Sequence, residues 1–314
     1  MRYCRFLLIA LIISGGIAFP ENLFSYWIWT PKTGRWINPK YHIKDTPREQ
    51  FEWAESFAKD GDSDTAIRKH EQLIKCYPTS SDAATSQYRI GELYLEKGKG
   101  LRAFWTFQKV IENYPRTSLI NEIVAEEFEI ANSFFDHKRK RLIKIPITTS
   151  VKTAELFEKI VENEPFGKYA AESQYKSGLS YLREKNSEKA KEALQKVIDN
   201  YPKTKWAEEA SYQLIHLSLK KSPKIATDLT SLEETIDKCK EFKRTFPESK
   251  KGEEAESIIE NAHQKEAEKL YQIGLFYEKR RERKATIIYY EKIIRLYPQT
   301  EVARTAEERL KKLK

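Results

Sequence analysis

One spacing, repeated without gaps, constrains this chain more than any other feature. Pro78, Pro115, Pro202 and Pro298 sit in CYPTS, NYPRT, NYPKT and LYPQT. Twelve residues before each stands a small side chain: Ala66, Ala103, Ala190 or Thr286. Twelve further back are Ala54, Gly91, Gly178 and Gly274, and three residues after those come Phe57, Tyr94, Tyr181 and Tyr277. A small residue lets one helix approach the next closely, and the aromatic a turn later fills the space beside it. The second small residue completes the contact. Proline has no N–H and clashes with the preceding turn, so it ends the unit. Before the prolines, apolar residues recur at helical spacing, as in Phe104, Phe107, Val110 and Ile111, and predict an inward face.

Two further units are stretched. Phe128, Ala131 and Phe134 open one that closes through Phe157, Ile160 and Pro165; Tyr212 and Ile215 open another that closes through Phe242 and Pro247. The extra residues, His137–Ser150 (HKRKRLIKIPITTS) and Ser222–Ser231, contain proline and turn formers, so they predict loops between the helices of one unit. No proline falls between Pro247 and Gly274. That stretch predicts one helix from about Lys251 to Lys279, roughly 40 Å long at ~1.5 Å per residue. The order of small, aromatic, Ala and Pro positions resembles the tetratricopeptide repeat, whose period is about 34 residues. The resemblance implies an all-α tetratricopeptide-repeat solenoid of about six helix pairs.

The N-terminus does not follow this rhythm. Arg2 and Arg5 precede an apolar run, Phe6–Ile13, which Ser14-Gly15-Gly16 break before Ile17-Ala18. This is the layout of an export signal, predicting cleavage after Ala18 and an exported mature chain. The run is shorter than the ~20 residues a spanning helix needs. Cys4 precedes the run, whereas a lipid-acceptor cysteine would follow it directly, so the expectation is export without a lipid anchor. Then comes FSYWIWTPKTGRWINPKY, which holds Trp27, Trp29 and Trp36. Pro31 and Gly34 between two apolar runs predict a short aromatic β-hairpin with strands near Tyr26–Trp29 and Arg35–Asn38. A lone hairpin is marginal in water, so it must cap the first repeat, sit at a membrane interface or meet a protein partner. Thr46, Pro47 and Glu49 then carry a helix-start signature. The predicted organisation is a signal peptide over 1–18, a Trp-rich segment over 19–46 and a repeat domain over 47–314.

Residues that could suggest chemistry are scattered. His42, His70, His137, His216 and His263 show no metal spacing. Cys76 and Cys239 fall at apolar helix positions and predict buried free thiols. Lys97-Gly98-Lys99-Gly100 lacks the strand and Ser/Thr of a phosphate loop and reads as a turn. Glu55-Ser56, Glu172-Ser173 and Glu256-Ser257 invite comparison with lytic transglycosylases, but a general acid needs an apolar cleft and these lie in charged helix stretches. No catalytic, cofactor or metal residue is predicted. The net charge of +9 is spread along the chain, which suits anionic surfaces in general and is no nucleic-acid footprint.

Three stretches together resemble one particular family, BamD, the tetratricopeptide component of the machinery that folds β-barrels into bacterial outer membranes. They are FPESKKGEEAE with the long helix and KATIIYYEKIIRLYPQTEVARTAEERL; the third-unit insertion followed by TAELFEKIVENEPFGKYAAESQY; and CYPTSSDAATSQYRIGELYLEKG. The chain departs from the family in lacking the lipid-acceptor cysteine and in its basic run from His137 to Arg141. The resemblance implies a non-catalytic periplasmic scaffold at the inner face of the outer membrane. Its implied partners are the barrel-forming assembly subunit, at the C-terminal repeats, and unfolded outer-membrane proteins, at the N-terminal ones. Helix phase puts Phe51, Glu55, Tyr88, Glu92 and Tyr175 on the groove face. Trp27, Trp29, Trp36 and the loop residues Lys138, Arg139, Lys140 and Arg141 are candidate membrane or partner contacts. The alternatives are a Tol–Pal-type envelope adaptor and a peptidoglycan-cleaving enzyme.

Overall fold

The computed structural model describes residues 28–30, 35–37, 43–136, 152–221 and 229–313. Among them are thirteen helices: α1 (Pro47–Lys59), α2 (Ser63–Cys76), α3 (Ser81–Glu96), α4 (Gly100–Asn113), α5 (Ile120–Phe135), α6 (Thr153–Asn163), α7 (Ala170–Arg183), α8 (Ser187–Asn200), α9 (Lys205–Lys221), α10 (Leu229–Thr245), α11 (Gly252–Lys279), α12 (Arg283–Leu296) and α13 (Glu301–Leu313). Two short strands, β1 (Ile28–Thr30) and β2 (Arg35–Ile37), pair antiparallel with Trp29 opposite Trp36. The residues that would join them are not among those described. The expected signal peptide and the basic insertion, with Lys138, Arg139, Lys140 and Arg141, also lie outside the described residues, as does Trp27.

The chain divides into two compact units, one within Met1–Lys97 and Gln108–Pro115, the other within Gly98–Phe107 and Arg116–Lys314. In the first unit α1, α2 and α3 each begin on a side-chain cap. Thr46 Oγ1 accepts from Glu49 N at 3.2 Å, Asp62 Oδ1 from Thr65 N at 3.0 Å and Ser80 Oγ from Ala83 N at 3.1 Å. Each satisfies an N–H that the first helical turn leaves unpaired. Ala66, Ile67, Ile90 and Leu93 form the core, with Phe57, Ile74 and Tyr94 packed around them. Ala54 on α1 is fully buried.

In the second unit the helices pack in chain order, and the interior is a series of linked clusters. Tyr175, Leu194, Val197, Ala210, Leu214 and Leu217 join α7, α8 and α9. Ile215, Ile236, Cys239, Phe242, Ala255, Ile259 and Ala262 join α9, α10 and α11. Ala267, Leu270, Tyr290, Ile293, Ala303, Ala306 and Leu310 join α11, α12 and α13. α9 and α11 therefore each serve two clusters, the expected outcome when one helix pair cannot bury its apolar face alone. α11 matches the proline-free stretch, spanning 28 residues within one of its expected bounds. Its first half completes one core and its second half the next.

The repeat positions have the predicted physical roles. Ala66, Ala103, Ala190 and Thr286 are fully buried. A β-carbon on Gly178 would lie 2.8 Å from Leu194, and one on Gly274 would lie 2.6 Å from Tyr290, so the small residues do set the closest approach. In the first stretched unit, Phe128 and Phe135 of α5 meet Phe157 of α6 edge-on, at 6.4 and 5.8 Å.

Two expectations need correction. α10 already begins at Leu229, inside the loop expected over Ser222–Ser231. Cys239 is buried, and burial pushes its thiol up to about 11, but Cys76 is exposed at the last residue of α2. The apolar stripe of α2 runs through Ile67, His70 and Leu73, which leaves Cys76 beyond its end.

Candidate protein-binding site

Four of the five groove residues predicted from helix phase lie in the first unit, and the structure joins two of them through a residue the sequence reading did not select. Arg89 on α3 donates through Nε to Glu55 Oε1 of α1 at 3.1 Å. Its Nη1 reaches Glu92 Oε2 and Glu96 Oε1, each at 3.1 Å. One guanidinium thus serves three carboxylates. The surface keeps surplus negative charge, which suits N–H donors and cationic side chains of a partner.

Behind Glu55 lies His70, fully buried on α2. Its Nε2 is 3.1 Å from Glu55 Oε1 and its Nδ1 is 3.2 Å from Ser86 Oγ. A carboxylate only accepts, so the neutral ring carries its proton on Nε2 and takes the serine hydroxyl at Nδ1. Burial drives His70 down to about 4, against the opposing pull of Glu55. Phe51 meets the His70 ring edge-on at 5.3 Å, and the Arg48 guanidinium lies 5.5 Å from the Phe51 centroid. Phe51, Tyr88 and Glu92 are half-buried. The imidazole therefore acts as a wedge that fixes Glu55 and Phe51.

Tyr175 does not share this placement. It belongs to the second unit and is only 7% exposed, its ring tilted against Trp206 at 5.3 Å. Burial first, then the Glu209 charge, raises its hydroxyl to about 12 despite a bond with Gln213. The helix-phase argument put Tyr175 on a face; Trp206 on the next first helix covers that face.

The sequence reading also missed two repeated polar ties. Gln50 and Gln174 stand four residues before the small residues Ala54 and Gly178. Gln50 Nε2 donates to Lys69 O at 3.1 Å, while Gln174 Nε2 donates to Ala193 O at 3.2 Å. The carbonyls are equivalent, each three residues after the small residue of the second helix. The Tyr of the YP pair reaches back: Tyr77 OH donates to Lys44 O at 2.6 Å and Tyr201 OH to Pro165 O at 2.8 Å. The recurrence of Gln and Tyr in the alignment was the available signal.

Elsewhere the polar residues serve the fold. Lys97-Gly98 is a turn, with Gly98 at φ +67° and Lys97 Nζ on Asp64 Oδ2 at 2.6 Å. Glu172 pairs with Lys176 at 2.6 Å, and Glu256 with Lys243. Burial raises the carboxyl of Glu266 on α11, and Tyr297 bonds it. His263 packs against Tyr297 and His216 against Tyr212. Among the described residues no group of three His, Cys, Asp or Glu is arranged to hold a metal, and no helix is long and apolar enough to cross a membrane. Trp29 and Trp36 meet edge-on at 5.8 Å and are both exposed. On the last two helices an open groove is lined by Glu291, Ile294, Arg295, Glu307, Leu310 and Lys311.

Residues 132–313, more than half of the chain, match the family model described as YfiO, outer membrane lipoprotein. The chain belongs to the YfiO (BamD) family. Membership makes it a tetratricopeptide protein of a non-catalytic outer-membrane lipoprotein family and implies a role in outer-membrane assembly. The YfiO match begins near the end of α5, inside the first stretched unit, takes in the whole of the second and the long α11, and excludes Phe51, Glu55, Tyr88 and Glu92. Residues 85–117 separately match a tetratricopeptide repeat. Solved structures similar to this YfiO-family chain include MamA (16% identity, 66% of this chain and 94% of that one, TM-score 0.32). Others are a tetratricopeptide repeat protein from Parabacteroides merdae ATCC 43184 (13%, 85% and 98%, 0.30) and the type IV pilus biogenesis factor PilW (11%, 84% and 99%, 0.29). At these scores they carry no argument about the chain. No curated protein matches it.

Proposed function

We propose that this chain is an exported scaffold at the inner face of the outer membrane, helping to assemble and insert β-barrel proteins. The family match over 132–313 carries this reading. The arrangement that serves it is a repeat array, 47–314, following a signal peptide, 1–18, and a Trp-rich hairpin segment, 19–46. The barrel-forming assembly subunit docks at the C-terminal repeats. The groove of α12 and α13 supports this, since it sets Ile294 and Leu310 between charges of both signs. Unfolded barrel strands meet the N-terminal repeats at Phe51, Glu55, Tyr88 and Glu92. The surplus carboxylates there suit an extended chain, whose outward N–H groups are unpaired until a sheet forms. Neither nucleic acid nor a cofactor takes part.

Affinity capture of the full chain from envelope extract tests the reading. Recovery of the barrel-forming subunit, reduced by charge reversal at the exposed groove residue Arg295 (Arg295→Glu), supports it. Recovery of Tol–Pal components without any barrel-forming subunit overturns it.

A further inference from the structure

In the second unit, three consecutive turns at the starts of α7, α9 and α11 are bonded to one another. Tyr201 OH ties the second turn to the first at Pro165 O, 2.8 Å away. Ser249 Oγ donates to Glu208 Oε1 at 2.7 Å and Lys251 Nζ to Glu209 Oε1 at 2.5 Å, which ties the third turn to the start of α9. This edge carries Phe166, Lys168, Lys203, Lys205 and Lys250, all exposed. Phe166 is 95% exposed, more than any other large apolar side chain among the described residues. Glu208 and Glu209 are engaged by Ser249 and Lys251. Among the described residues none of the other four lysines has a carboxylate partner; Lys168 and Lys205 lie only over the rings of Tyr169 and Trp206, at 5.0 and 4.6 Å.

A phenylalanine so exposed contributes almost nothing to the core, so its apolar surface gains only by leaving water for another phase. Four ammonium groups without a carboxylate partner, spread along the same edge beside the exposed Glu248, favour an anionic phase. Each is a mobile, strongly hydrated point charge, suited to a fluid layer of phosphates and less so to the fixed, bidentate sites that arginine makes in protein interfaces. No other exposed large aromatic stands beside Phe166 to form the buried cluster that anchors a protein partner. We propose that this edge rests on an anionic lipid surface. Phe166 enters the headgroup layer, where aromatic rings sit favourably, while Lys168, Lys203, Lys205 and Lys250 lie over lipid phosphates. This contact is separate from the Trp-rich segment and from the assembly role.

The test is co-sedimentation of the full chain with phosphatidylcholine vesicles, with and without phosphatidylglycerol, across a range of salt. Each lysine near an anionic surface strengthens binding about fivefold. Changing all four to Gln should therefore weaken binding to the anionic vesicles by about tenfold or more, even with screening. Changing all four to Arg keeps the charge and should keep the binding, which separates charge loss from misfolding. Phe166→Ser should weaken binding severalfold at every salt concentration. Wild-type binding by the fourfold Gln variant overturns the proposal, since the Trp-rich segment would then account for all retention. So does equal loss on vesicles without phosphatidylglycerol. Loss of an acidic protein from extract with vesicle binding unchanged would assign the edge to a protein instead.

Discussion

Gly178 on α7 lies so close to Leu194 on α8 that a β-carbon would sit 2.8 Å from both Cγ and Cδ2 of that leucine. Leu194 is fully buried and has nowhere to move. Alanine in a helix interior gains about 1 kcal/mol over glycine, but overpacking a filled core costs about 1–3 kcal/mol. Gly178→Ala should therefore destabilise the second unit by up to about 2 kcal/mol, read from urea unfolding. Leu194→Ala alone should cost about 2–5 kcal/mol, and the double variant should lose less than the sum of the two single losses, because it vacates the contested space.

The turn between the two helices of a repeat calls for a left-handed residue seven places after the small one. Gly61 and Gly98 supply it at φ +82° and +67°, but Lys185 and Arg281 adopt φ +60° and +59°. A side chain in that region costs roughly 1–2 kcal/mol, and glycine's extra freedom in the unfolded chain offsets part of the gain. Lys185→Gly should raise stability by about 0.5–1 kcal/mol, seen as a higher urea midpoint.

Gln50 bridges two segments, donating to Lys69 O and accepting from Lys44 N at 3.0 Å through Oε1. Gln50→Ala leaves a buried carbonyl unpaired, at a cost of about 1–3 kcal/mol. Gln50→Glu keeps the acceptor and loses the donor, so it too should destabilise. Thermal unfolding of both variants checks this.

His70 links stability to pH. The folded chain keeps the ring neutral down to about 4, whereas the unfolded chain takes up a proton near the ordinary value of about 6.5. Its contribution is complete above pH ~6.5 and is lost as pH falls toward ~4, on the order of 3 kcal/mol across the window. Glu55 and Arg89 face the same ring and act in opposite directions, Glu55 favouring protonation and Arg89 opposing it. His70→Gln should flatten the profile of unfolding midpoint against pH between those limits.

The parts legible in sequence were those that repeat in residue type. Prolines, small residues and the aromatic after them fixed the helix pairs, and the missing proline fixed α11. Lys185 and Arg281 hide the left-handed turn because neither resembles glycine, so that position shows only in backbone geometry. Helix phase picked out Glu55 and Glu92 as candidates but not Arg89, because the reach of Arg89 from α3 to α1 is something that spacing within one helix cannot encode. Tyr175 failed for the converse reason: phase gives a direction, but Trp206 on another helix decides whether solvent lies there.

The central claim is that the chain serves β-barrel assembly at the outer membrane, and depleting it from its own cell tests this most directly. The readout is the folded fraction of newly exported barrel proteins, followed by heat-dependent gel mobility. The account predicts that this fraction falls and unfolded barrels accumulate while export continues. Unchanged barrel folding after full depletion would contradict it.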